Sequence, residues 1–96
     1  MEIRNIRHKH LKNFLEKDEH KGLPAEYIGK IRDILTFLLD IQSIDEIDNL
    51  KKYKPHILKG NRAGVYSLTV SSNWRITFEY DSRVDQIYNL DFEDYH

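Results

Sequence analysis

The sequence contains no cysteine. That excludes disulfide staples, thiolate-ligated zinc, iron–sulfur clusters and a thiol nucleophile, and it fits a reducing compartment. Proline and glycine are scarce, at two and four residues, and no Pro-, Gly- or Ser-rich stretch divides the chain. Long hydrophobic runs are absent as well. The longest purely apolar stretch is Phe37-Leu38-Leu39, and the looser run from Ile34 to Ile41 is broken by Thr36 and Asp40. A membrane span needs about 20 apolar residues. The opening residues Met1-Glu2-Ile3-Arg4-Asn5 lack the apolar segment of a signal peptide. The expectation is a soluble, cytoplasmic protein with no membrane partner. Ninety-six residues suit one domain over 1–96 with one modest core. There is no room for a cofactor module beside a substrate module, so no small-molecule cofactor is expected.

Net charge is also nearly absent, at −1 from 15 basic and 16 acidic side chains. The charges are not spread evenly. Residues 33–50 carry five acidic and no basic side chains, and residues 51–75 carry six basic and no acidic ones. Residues 76–96 then hold six acidic side chains against one basic. A near-neutral total therefore conceals a basic block, Lys51, Lys52, Lys54, Lys59, Arg62 and Arg75. Such a block is either a solvated face or a polyanion-binding one.

Periodicity divides the chain in two. Ile3 to Arg7 reads as a short opening strand. Leu11, Phe14 and Leu15 repeat at helical spacing over residues 9–17. Gly22 stops that helix, and Pro24 suits the first turn of a second one with Glu26 near its positive end. Ala25, Ile28, Ile31, Ile34 or Leu35, and Leu38 carry that helix to about residue 41. Ser43 with Glu46 has the spacing of a capping box for further helical turns up to Leu50. After Leu50 the period becomes two. Residues 55–59 read as a strand, 60–64 as a turn, and 65–71 and 74–80 as half-buried strands joined at Ser71-Ser72-Asn73. Asp81-Ser82-Arg83 turns the chain into a last strand, Val84 to Leu90. The fold class expected is α+β, with two N-terminal helices packed on a four- to five-stranded, mainly antiparallel sheet.

That topology brings chemistry together. Arg75 begins its strand and points away from the Trp74/Ile76/Phe78 face. The last strand runs antiparallel to it and ends beside it, so Asp94, Tyr95 and His96 should lie near Arg75 and Asn73. The strand at 55–59 should bring His56 and Lys54 to the same end. Cations, two imidazoles, a phenol and a carboxylate on an open sheet face suit RNA cleavage without metal: a base for the 2′-OH, an acid for the leaving 5′ oxygen, and cations for the phosphorane. The plainer alternatives are a surface His56 beside Pro55, a frayed tail, and an Arg75 that simply pairs with Glu79 or Glu93. The five histidines do not have metal-ligand spacing. His8 and His10 should fall on opposite sides of a helix, and His20, His56 and His96 are far apart in sequence.

Four blocks carry a family resemblance: His56-Ile57-Leu58-Lys59-Gly60-Asn61-Arg62, Gly64-Val65-Tyr66-Ser67, Asn73-Trp74-Arg75-Ile76-Thr77-Phe78 and Glu93-Asp94-Tyr95-His96. In these, and in length and the Gly22-Leu23-Pro24-Ala25 entry to the second helix, the chain resembles the HigB toxins of the RelE/ParE superfamily. The resemblance implies a RelE-like fold and a type II toxin that cleaves mRNA in the decoding site of the 70S ribosome. It also implies a HigA-like helix-turn-helix antitoxin as partner. The family's catalytic set maps onto His56, Lys59, Arg75, Asp94, Tyr95 and His96. Lys59 enters on the resemblance alone, because a regular hairpin would place it near Gly64, roughly 20 Å from Arg75. Lys51, Lys52, Lys54, Arg62 and Asn73 are the expected RNA contacts. Two other readings stay open: a ParE-like inhibitor of DNA gyrase, and an inactive partner and co-repressor of an antitoxin.

If the basic block meets RNA, replacing Lys51, Lys52 and Lys54 with Glu weakens ribosome association and flattens its salt dependence. Replacing Lys12 and Lys17 on the first helix does less. Cosedimentation with ribosomes across a salt series checks this, and equal effects from both sets would place the footprint elsewhere.

Overall fold

Strand alternation and helix period each find their place in the computed structural model, which describes residues 1–94. Helix α1 is Lys9–Lys17 and α2 is Ile28–Asp40. The strands are β1 Glu2–Ile3, β2 His56–Ile57, β3 Tyr66–Thr69, β4 Trp74–Asp81 and β5 Gln86–Asp94. They form one five-stranded sheet in the order β1-β5-β4-β3-β2. All neighbours are antiparallel except β1, which pairs in parallel with β5.

The helices bury the faces their spacing selects. Leu11 and Phe14 of α1, and Ile31, Ile34, Leu35 and Leu38 of α2, share one core with Leu68, Ile76, Phe78, Ile87, Leu90 and Phe92 of the sheet. Tyr66 stacks on Phe78 with ring centroids 5.2 Å apart, and Trp74 stacks on Phe92 at 4.5 Å. Pro24 caps a short 3₁₀ turn, Ala25–Tyr27, that runs into α2. The Ser43/Glu46 capping box forms, although the segment it opens, Ile44–Asn49, is a 3₁₀ helix. Gly22 has φ +81° and the His10 ring lies where a side chain on it would sit, so the chain reversal after α1 requires glycine here.

Three expectations shift. The opening strand shrinks to two residues, followed by an isolated parallel bridge between Ile6 and Leu90. His8 and His10 do not lie on opposite sides of a helix. His8 precedes α1 as its N-cap, and the two rings are 5.8 Å apart. The last strand begins at Gln86 and runs on to Asp94, four residues past Leu90. The reason is a bulge. Thr77 pairs with Asp91 and Glu79 with Tyr88, so β5 carries one extra residue there. Asn89 takes it up at φ +50°, held by hydrogen bonds to Asn5 and Glu79. The alternation resets, so that Ile87 is buried on one side of the bulge and Leu90 and Phe92 on the other.

The cap of α1 makes stability pH-dependent. His8 Nδ1 accepts the Leu11 amide at 3.1 Å, which requires an unprotonated ring nitrogen. Burial lowers the His8 pKa from 6.5, with His10 adding to this and Asp91 opposing it. A folded value below the unfolded one means the cap's contribution is intact above pH 6.5 and is lost as pH falls through the folded value. His8→Ala therefore costs about 1 kcal/mol at pH 8, and the gap to wild type closes toward pH 5. Urea unfolding at both pH values measures it. A gap that stays constant would show that His8 does not cap in its neutral form.

Candidate active site

The two faces of the sheet carry different chemistry. Directly paired residues share a face. Leu68, Ile76 and Phe92 form one cross-strand row beneath the helices. The adjacent rows, Thr69–Arg75–Glu93 and Ser67–Thr77–Asp91, point the other way. Two adjoining hollows of about 250 and 160 Å³ lie along this polar face and share Arg62, Thr77 and Glu93. Arg7, Asn61, Glu79, Asn89 and Asp91 line one of them. Leu58, Ser67, Arg75 and Asp94 line the other.

Arg75 sits at the start of β4, where the β3–β4 turn closes. Its Nη1 donates to the Ser71 carbonyl at 2.6 Å and to its neighbour Trp74's carbonyl at 3.1 Å, which holds the guanidinium against the turn. Asp94 pairs with Trp74 across the ladder, so the last described residue stands at the Arg75 end of the sheet, as strand direction predicts. Asn73 is exposed in the same turn. Tyr95 and His96 lie outside the described residues.

His56 is placed differently from the convergence expected of it. It pairs with Ser67, while Arg75 pairs with Thr69 two residues farther along the same strand. Two residues and two strands separate their backbones by about 12 Å. Its Nδ1 lies 3.1 Å from the Lys54 carbonyl, and the residue borders a separate hollow with Ile44, Asp45, Asp48 and Tyr66. Lys51 and Lys52 are exposed on a 3₁₀ turn, Lys51–Tyr53. Lys52 and Lys54 face a wide groove against α2 that Lys30, Glu26, Asp33, Thr69 and Ser71 also line.

Lys59 does not sit in a hairpin strand. β2 ends at Ile57, and the chain then turns through a 3₁₀ segment, Gly60–Arg62. Lys59 is the exposed residue just before that turn. Arg62 reaches over the polar face to β5, where its Nη1 and Nη2 donate to the two oxygens of Glu93 at 3.0 and 2.6 Å. Thr77 donates to the same carboxylate. Burial alone would push the Glu93 pKa up. The hydrogen bonds from Arg62 and Thr77 outweigh it and hold the carboxyl below the usual 4.5. The Arg62 guanidinium is stabilised in turn, chiefly by that hydrogen bond.

Sequence reasoning overlooked Arg7, Asn61 and Thr77. Thr77 was readable, since it alternates with Ile76 and Phe78. Arg7 was not, because it depends on the Ile6–Leu90 bridge and on its own amide bond to the Leu90 carbonyl. Among the described residues no group of three His, Cys, Asp or Glu side chains could hold a metal ion. No helix among them is long and apolar enough to cross a membrane.

Glu93 gives this site a signature in acid. Its folded pKa lies below its unfolded one, so its stabilisation is complete above about pH 4.5 and disappears as pH falls through the folded value. Glu93→Gln is expected to be less stable than wild type at pH 7, with a smaller gap at pH 3. Chemical unfolding at the two pH values checks this, and a difference that persists undiminished in acid would remove the ion pair as its source.

Residues 4–96 match the family described as RelE-like toxin of type II toxin-antitoxin system HigB. The chain is 42% identical over 94 residues to "Endoribonuclease HigB" from Proteus vulgaris, covering 98% of this chain and 99% of that one. Its fold is similar to that of a YoeB/ParE toxin from Agrobacterium tumefaciens, with a TM-score of 0.57 at 17% identity over 100% and 99% of the two chains. It is also similar to YoeB in the YoeB–YefM complex from Staphylococcus aureus, with a TM-score of 0.54 at 20% identity over 100% and 97%. Those likenesses are of the fold alone. The near full-length identity and the family match carry the assignment: the chain belongs to the HigB family of RelE-like toxins of type II toxin–antitoxin systems.

Proposed function

We propose that this protein is a ribosome-dependent mRNA interferase that cuts by attack of a 2′-OH on the adjacent phosphate. The endoribonuclease activity comes with the family and with the 42% identical relative. The observation that supports the finer reading is the polar sheet face. Arg75 stands at one end of it, at the same end of the sheet as Asp94, and a groove lined by Lys30, Lys52 and Lys54 together with Glu26 and Asp33 opens at the neighbouring turn. A gyrase inhibitor needs no such acid, base and cation set.

In this reading His56 or Asp94 takes the 2′-OH proton. The 2′ oxygen attacks phosphorus, the bond to the 5′ oxygen breaks, and His96 returns a proton to that oxygen. The products are a 2′,3′-cyclic phosphate and a 5′-OH. Arg75 and Lys59 stabilise charge on the phosphorane. Tyr95 stacks on the substrate base. Lys51, Lys52, Lys54 and Asn73 contact the RNA around the cut. His56 lies about 12 Å of backbone from Arg75, so as base it needs RNA to draw the β2 edge inward. The partners are the 70S ribosome with its mRNA, in the cytoplasm, and an antitoxin of HigA type bearing a helix-turn-helix.

His96 decides the proposal. Losing a general acid costs ~10²–10⁴ in rate. His96→Ala should abolish growth inhibition and mRNA cleavage, with fold and ribosome binding intact. Primer extension on ribosomes programmed with a defined mRNA reads this out. A His96→Ala protein that cuts at more than about a third of the wild-type rate, far short of that loss, has lost no general acid.

A further inference from the structure

We infer that Glu93 is a positioning residue for the cleavage reaction, acting through Arg62 to hold the 58–64 loop, and with it Lys59, over the polar face. The inference rests on the endoribonuclease reading above, because Lys59 has a role only there.

The loop closes on itself but gains its place in the sheet from elsewhere. The Leu58 amide donates to Val65, Gly64 to Leu58, Ala63 to Gly60 and Val65 to Arg62, all within the loop and its stems. β2, which leads into it, has only two paired residues and lies at the sheet edge. Such a segment has little to fix its tilt over the neighbouring strands. Arg62 supplies that. It crosses above β3 and β4 and meets β5 in a two-point bond to Glu93. A bidentate pair fixes orientation as well as distance. Glu93 is itself fixed by Thr77 from β4, by its place in the ladder opposite Arg75, and by its half-buried position. Lys59 is three residues before Arg62, at the start of the same 3₁₀ turn. Fixing Arg62 therefore fixes the origin of the Lys59 side chain.

Arg62 could instead be an RNA contact, and the two roles give opposite outcomes for Glu93→Gln. As a phosphate contact, Arg62 would be released by the substitution, so RNA would bind more tightly and cleavage would hold or rise. As a strut, Arg62 would lose its anchor. The loop would loosen, and cleavage would fall although no group that touches RNA had changed.

The test uses full-length protein and ribosomes programmed with a defined mRNA. Glu93→Gln should lower kcat by about ten- to a hundredfold, the cost of a misplaced catalytic group, with KM nearly unchanged. Amide exchange at Ala63, Gly64 and Val65 should quicken, while β4 and β5 stay protected. Exchanging the charges, Arg62→Glu with Glu93→Arg, should restore most of kcat and slow loop exchange again. If the exchanged pair does not fold, Thr77→Val, which removes the second bond to Glu93, should lower kcat in the same direction by less. A Glu93→Gln protein that cuts as fast as wild type or faster overturns the positioning role. So does a folded charge-exchanged protein with no recovery. Wild-type protein that fails to cut ribosome-bound mRNA overturns the underlying reading instead.

Discussion

The final strand of the chain lies inside the sheet, hydrogen-bonded to β4 along most of its length and to β1 on its other side. Everything else is arranged around that pairing. Ile87, Leu90 and Phe92 seal the core from one face of β5. Asp91 and Glu93 arm the other face. The pairing is long-range in sequence, since β1 begins at Glu2 and meets residues 86 and 87. Closing it costs loop entropy, which burial of Ile87, Leu90 and Phe92 offsets at about 1.5–3 kcal/mol per large apolar side chain. Because those side chains anchor β5, Asp94 is carried to the Arg75 end of the sheet as a paired residue.

The bulge at Asn89 lets one strand do both tasks. Without the extra residue, a strict period of two from Ile87 would place Asn89 and Asp91 in the core and Leu90 and Phe92 on the polar face. Asn89 absorbs the slip in a left-handed conformation that asparagine tolerates better than most residues, and its side chain joins Asn5 to Glu79. Beyond it the polar face carries the carboxylates of Asp91 and Glu93 against the cations Arg7, Arg62 and Arg75. In the proposed function this balance lets a chain of net charge −1 offer a polyanion a local site. Glu93 in the trough is answered internally by Arg62, and the lysines of the 51–54 turn are exposed.

Local rules were enough for much of this. Leu11 with Phe14, and Ile31 through Leu38, declare their helices by spacing. Trp74, Ile76 and Phe78 declare β4, and Ser43 with Glu46 forms the cap that the pattern implies. The α+β class, the strand directions and the arrival of the β5 end at the Arg75 end of the sheet follow from these. What escaped was non-local or irregular. The bulge breaks the period between Ile87 and Leu90, so the last strand seemed to stop where it continues. The 58–64 loop has no period at all, and Arg62 looked like one more cation of a basic run until its partner 31 residues away was in view. The strand at His56 does enter from the Arg75 end, but His56 pairs with Ser67, two residues and two strands from Arg75, an offset that strand direction alone does not reveal.

In the proposed function the polar face, not the helical one, meets RNA, with Arg75 at the end where cleavage occurs. Site-specific photocross-linking on the ribosome tests it most directly. A photoreactive side chain placed at Asn73, exposed in the β3–β4 turn, is compared with one at Thr36, exposed on the outer side of α2. The account predicts that the probe at Asn73 captures mRNA in the decoding site and the probe at Thr36 does not. Capture of mRNA from Thr36, with none from Asn73, would contradict it.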